Sequence, residues 1–186
     1  MAVAPATVGV MTRTGWAVAV ALGGQAAVPR FLGRLEIALV PAHLPAQPYH
    51  AAAGLESGAA RSLVAQVELA AEEAAVAGLR AVAADLPAPV SALAVVVKPV
   101  SLPVDLTDII RSHARMHAGE GVLYREAMLA AARRCGWVAV AVDEQSLPVA
   151  DHALRVIARD AGRPWRRIEK YAALAALAQL PGASGH

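Results

Sequence analysis

Two short apolar runs, Ala94–Val97 and Val138–Val142, are built from Val and Ala and bounded by Pro, Gly and Asp. Near-continuous runs of this length predict strands of a parallel sheet covered on both faces. The stretch between them, Leu106–Arg134, holds no proline and is rich in Ala, Leu, Arg and Glu, which predicts one long helix. Thr107 or Asp108 is placed to cap its start, and Cys135-Gly136 to end it. Strand, helix and strand make a parallel crossover, which winds right-handed. The other elements are organised around it.

Upstream, Thr7–Met11, Trp16–Leu22 and Leu32–Val40 read as strands, linked across Thr12–Gly15 and a Gly23-Gly24 turn. In the third, Arg34 and Glu36 alternate with Leu35 and Ile37. Short links between sequential strands predict an antiparallel meander. Pro41–His50 is an irregular, proline-rich loop carrying His43, Tyr49 and His50. A helix follows from Ser57 or Gly58 to Ala84, with Leu63, Val67, Ala70 and Ala74 inward and Glu68 and Glu72 outward. Beyond the second parallel strand, Asp143–Ser146 leaves the sheet at its carboxyl edge, where ligands of open α/β sheets usually sit. Asp151–Ala161 and Trp165–Leu180 read as helices parted by Gly162-Arg163-Pro164. The order β-β-β-α-β-α-β-α gives an α/β fold, a mixed five-stranded sheet (three antiparallel strands, then two parallel) with helices on both faces. Residues 1–181 are expected to form one domain, and 182–186 a frayed tail.

Within the central helix, Ile109, Ile110, Met128 and Ala131 share the stripe expected to face the sheet, and Arg111, Arg115, Arg125, Glu126 and Arg133 lie opposite. Four polar residues, His113, His117, Glu120 and Tyr124, fall on the apolar stripe. Left buried without partners, each costs about 1–3 kcal/mol, so they must bond one another, bond the sheet ends or line a cleft. Three arrangements answer to this: a polar network that fixes helix docking, a ligand pocket in which the imidazoles act as acid or base, or a metal site. The metal reading has least behind it. The H-E-x-x-H motif is absent and the sequence shows no third ligand, so no metal is assigned.

Composition narrows the class. Hydrophobic residues make up 57% of the 186, mainly Ala and Val, but no run reaches the ~20 residues of a membrane span. The opening MAVAPATVGV lacks the basic start of a signal peptide, so a cytoplasmic protein with no membrane partner is expected. A lone Cys135 excludes an intrachain disulfide and any multi-cysteine zinc site, and its helix-end position suits a structural thiol. The net charge is +2, and every basic residue except Lys98 and Lys170 is Arg. Arginine favours bidentate phosphate contacts, yet a GC-rich genome yields the same bias. The charge permits nucleic-acid binding without requiring it.

The element order is that of the ribonuclease H-like fold, and three stretches resemble RuvC-type Holliday-junction resolvases. Arg13-Thr14-Gly15-Trp16-Ala17-Val18 is similar to the R-T-G-W-x-V that follows the family's first catalytic aspartate. Ala118–Cys135 is similar to the helix after its catalytic-glutamate strand, and Glu169–Ala175 to its final helix, where D-x-x-D precedes an Ala/Leu run. The resemblance implies a nuclease in which acidic side chains hold two Mg2+ ions. At the matching positions this chain has Met11 in place of the aspartate, Lys98 in place of the glutamate, and Glu169 with Ala172 for the acid pair. Asp143 and Glu36 do not fall on family positions. One acid cannot retain a metal pair, so the expectation is a degenerate, non-cutting module without cofactor. Mg2+ would enter only if a divergent metal-dependent nuclease survived.

Three functional readings follow. In a module that binds nucleic acid, Lys98 would meet a phosphate and Arg13, Arg163, Arg166 and Arg167 would border the same face; alternatively, Lys98 pairs with Glu169. In an enzyme of another class, His113, His117, Glu120 and Tyr124 would act with His50 and Asp143, although no nucleophile motif or phosphate loop accompanies them. In a structural subunit, the Ala-rich last helix, with Trp165 and Tyr171, would dock a second copy or a protein partner.

Overall fold

The computed structural model describes residues 4–182, so nearly all of the expected tail lies outside the described residues. Strands β1 (Ala6–Arg13), β2 (Trp16–Gln25) and β3 (Val28–Ala38) form the antiparallel meander. Strands β4 (Val90–Val97) and β5 (Val138–Asp143) add in parallel on the other side of β1, giving the order β3-β2-β1-β4-β5. The expected mixed five-stranded sheet is present. Side chains alternate between two cores as the pleat requires: Val8, Val10, Leu93 and Val95 enter one, and Val18, Val20, Ala94 and Val96 the other. Strand β5 departs from the expected double cover, because it is a sheet edge and leaves Val138 63% exposed.

Helices α1 (Pro48–Ala52), α2 (Ser57–Ala84), α3 (Leu106–Ile110) and α4 (His113–Arg134) cover the first core, and α5 (Asp151–Ala161) and α6 (Arg167–Leu177) the second. Several expected boundaries move. The first hairpin turn is only Thr14-Gly15, with Gly15 at φ 79°, and the second falls at Ala26-Ala27 because pairing continues through Gly23, Gly24 and Gln25. The end of the proline-rich loop is helical, since Pro48 sits in a first turn where its missing N–H is no loss. In α2 the buried stripe is Ala60, Val64, Val67, Ala71, Ala75 and Leu79, sharing only Val67 with the expected one. Alanine fits either face, so an Ala-rich helix specifies its own rotation weakly.

The expected long central helix is two helices. Ser112 takes an extended backbone and its Oγ accepts from Arg115 N at 3.4 Å, starting α4 afresh. Asp105, rather than Thr107 or Asp108, caps α3 by accepting from Thr107 N at 2.8 Å. The end of α4 is as expected, with Cys135 as cap and Gly136 at φ 79°.

Helix α6 lies directly on the sheet. Ala172, Ala173, Ala175 and Ala176 are fully buried there. The approach requires a glycine opposite, because a Cβ on Gly9 would stand 1.8 Å from the Ala172 carbonyl oxygen. Thr7 Oγ1 donates to the Ala176 carbonyl at 3.0 Å and fixes the contact. The small-residue face expected to meet a partner is therefore part of the chain's own core, and Trp165 and Tyr171 pack at its border.

Candidate functional site

Strands β1 and β4 end side by side at the carboxyl edge of the sheet, and a cleft of about 220 Å³ opens there beside α4. Its floor is Met11 and Val96, and its charged lining is Arg13, Lys98, Arg125 and Glu144, with His117 at the rim. Three cationic side chains thus face one carboxylate. That carboxylate is already paired: Glu144 lies 3.2 Å from Lys98 Nζ and accepts from Arg167 at 2.8 Å. Lys98 pairs with Glu144 and not with Glu169, which corrects the alternative drawn from sequence. Arg125, expected on the solvated side of α4, is half-buried, and desolvation lowers its pKa while Glu126 opposes the shift. Sequence reasoning missed both Arg125 and Glu144 as site residues. The departure of Asp143–Ser146 at the carboxyl edge of the sheet was the available signal for Glu144.

The positions expected to have lost their acids do not form a carboxylate cage among the described residues. Met11 is buried in the second core and Ala172 is fully buried against Gly9. Glu169 is 1% exposed and turned toward its own helix end, where it accepts from the Arg166 backbone N–H at 2.8 Å and from its guanidinium at 2.8 and 3.1 Å. Burial alone would raise the Glu169 pKa, but the Arg166 hydrogen bonds together outweigh it and hold it below the ordinary value. These residues do not fit a pair of Mg2+ ions, which need several carboxylate oxygens. Asp143 is spent as a cap, accepting from Gln145 N at 2.9 Å.

Of the other expected nucleic-acid contacts, Arg167 reaches the cleft through Glu144 and also stacks on the Tyr171 ring at 4.8 Å. Arg163 and Arg166 line a different hollow beside Trp165. They do not join Lys98 on one face as expected.

A second cluster adjoins the cleft. Glu120 and Tyr124 are buried while His113 and His117 remain exposed, so the four-residue stripe on α4 is split by depth. His50 comes to the cluster from α1, whose Tyr49 ring lies against Gly119, where a Cβ would stand 3.1 Å from the ring. Burial pushes the Tyr49 phenol up to about 12, with Glu68 and Glu120 adding to the shift. The rings of His50, His113 and His117 lie 4.5–5.2 Å apart, centroid to centroid. His50 Nδ1 stands 2.7 Å from Glu120 Oε1, and His117 Nδ1 is 3.7 Å from Glu120 Oε2. A carboxylate accepts only, so His50 Nδ1 carries a proton and, in the neutral ring, Nε2 has the lone pair. Both His50 Nε2 and Glu120 Oε2 are buried without a hydrogen-bond partner, each an unmade bond of about 1–3 kcal/mol. The polar network expected as one reading is incomplete.

Tyr124 leaves this group. Its hydroxyl donates to the Ala46 carbonyl at 2.5 Å and ties the proline-rich loop to α4, while burial, then Glu120, raises its pKa. His43 lies apart, in a hollow between the loop and α2.

No family model matches the sequence, and no curated protein matches it. Among solved structures the chain is similar to RuvC of Thermus thermophilus in complex with a Holliday junction substrate, at 13% identity over 93% of this chain and 90% of that one, with a TM-score of 0.54. A second structure of T. thermophilus RuvC aligns at 16% identity over 92% and 91%, with a TM-score of 0.48. No described helix is long and apolar enough to cross a membrane. The chain has the RuvC-like, ribonuclease H-like fold.

Proposed function

We propose that this chain is a RuvC-like module that binds nucleic acid at the carboxyl edge of its sheet and does not cut it. One observation carries the reading: the cleft between β1, β4 and α4 holds Arg13, Lys98 and Arg125 against the single, already paired carboxylate of Glu144. A phosphate entering there meets net positive charge on two strand ends and a helix. The fold likeness supports the substrate class only by analogy. The test pairs two assays on one preparation. Gel-shift titration with four-way junction, duplex and single-stranded RNA at low and high salt should show a shift that weakens steeply with salt. Incubation of the same substrates with Mg2+ or Mn2+ should leave them intact. No shift at micromolar protein sinks the binding half, and metal-dependent cleavage that disappears in Glu169→Gln sinks the other.

A further inference from the structure

We propose that His50, His113 and His117 form a binding site for one divalent transition-metal ion of the zinc class, with Glu120 positioning His50. This is independent of nucleic-acid binding. Each of the three imidazoles offers a nitrogen, and these atoms all lie within 4.8 Å of one another. His113 and His117 stand one turn apart on α4, which places them on the same face. His50 supplies the ligand from a separate element that the sequence pattern of α4 could not show.

Two features distinguish this cluster from three histidines that merely meet. The first is the orphaned His50 Nε2, buried with its lone pair unmatched. The second is the partner behind it: Glu120 is 1% exposed and accepts from His50 Nδ1–H at 2.7 Å. A carboxylate that fixes the tautomer and leaves the far nitrogen free is how metal-ligating histidines are held. Zinc–nitrogen bonds of 2.0–2.1 Å in a tetrahedral site set the ligand nitrogens about 3.4 Å apart. The nitrogens lie within 4.8 Å of one another and must therefore close by no more than about 1.4 Å, and the side chains of His113 and His117 are exposed.

An all-imidazole donor set selects Zn2+, Co2+, Ni2+ or Cu2+ and discriminates against Mg2+ and Ca2+, which take oxygen. Three protein ligands leave a fourth position for water or another donor. His117 also lines the cationic cleft, so the ion would lie at its border. The chemistry differs from carboxylate-held Mg2+ in ligand type and in the elements that supply it.

The full chain, stripped with a chelator and dialysed, is titrated with Zn2+ against a chromophoric competitor. The expected result is one equivalent bound at micromolar affinity or tighter, undisturbed by millimolar Mg2+. Co2+ in its place should give the intense visible bands of a tetrahedral site. Glu120→Gln should weaken binding by roughly 10–100-fold while keeping the Co2+ spectrum, and His113→Ala or His117→Ala should weaken it further. His152→Ala, at an exposed position on α5, should bind as the unaltered chain does. The Co2+ spectrum needs no substitution, so it decides the matter should a variant not fold. Absence of stoichiometric binding, displacement by Mg2+, or affinity that survives the double substitution of His113 and His117 overturns the site.

Discussion

Replacing Lys98 with Ala removes a side chain that is 68% exposed and leaves Glu144 its contact with Arg167. The Glu144 side chain is only 12% exposed and its buried Oε2 loses the Lys98 contact, a cost of about 1–3 kcal/mol, so melting of Lys98→Ala is measured beside its binding. If Arg13, Lys98 and Arg125 each neutralise one duplex phosphate, log Kobs falls with log salt at a slope of about −2.7. Between about 50 and 200 mM salt that slope weakens binding about 40-fold, and loss of Lys98 reduces it to about −1.8, or roughly 12-fold. Glu144 supplies a control of opposite sign. Glu144→Gln removes the one carboxylate lining the cleft, and a unit charge about 4 Å from a phosphate in water is worth ~1 kcal/mol, roughly a fivefold gain in affinity. Fluorescence anisotropy of labelled duplex and four-way junction across a salt series measures both. An unchanged slope in Lys98→Ala, or weaker binding by Glu144→Gln, refutes the placement of a phosphate in this cleft.

Other outcomes test the fold and the Glu169–Arg166 pair. Gly9→Ala drives a methyl group to 1.8 Å from the Ala172 carbonyl oxygen and 2.5 Å from Ala176 N, so α6 must retreat and Thr7 must lose its bond. Overpacking against backbone should cost about 3 kcal/mol, or roughly 6–12 °C in Tm at this chain length; a melting point within experimental error of the parent's contradicts the contact. The Glu169 pKa is held below its ordinary 4.5. A depressed folded value stabilises fully above the unfolded one and ceases to as pH falls through the folded one. The Tm gap between the parent and Glu169→Gln should therefore be widest near neutral pH and close below about 4.5; a gap that widens on acidification reverses the sign and rejects the pairing with Arg166.

The sheet was legible because its signals were local and redundant. Val/Ala runs, short hairpin links and the proline-free stretch before Cys135-Gly136 each constrained the element order on its own. Helix phase was not legible where alanine filled both faces, as in α2, nor was the break at Ser112, where one cap bond interrupts an otherwise continuous pattern. The site divided in the same way. That positions 11, 98 and 172 carry no acid could be read directly, because it depends on residue identity. The Lys98–Glu144 pair could not, because it spans two connections out of the sheet, whereas the sequence did suggest His50 beside Glu120 although 70 residues separate them.

Those long-range pairs also separate two groups of polar side chains. In a sheet of this topology the strand ends are the expected location for reactive groups, and here they carry a methionine and a lysine over a cationic cleft. Among the described residues, two of the three buried side-chain polar atoms without a hydrogen bond, His50 Nε2 and Glu120 Oε2, stand where α1 crosses α4, beside a Tyr49–Gly119 contact that the sheet does not determine. The third, Glu144 Oε2, lies at the cleft. With the protein kept metal-free in the binding assay, substitutions at the strand ends should change affinity for a polyanion without touching metal binding, and His113→Ala should do the reverse, while His117, at the cleft rim, can affect both. Were Lys98→Ala to abolish Zn2+ uptake, or His113→Ala to alter the salt slope as Lys98→Ala does, the cleft and the histidine cluster would have to be one site and not two.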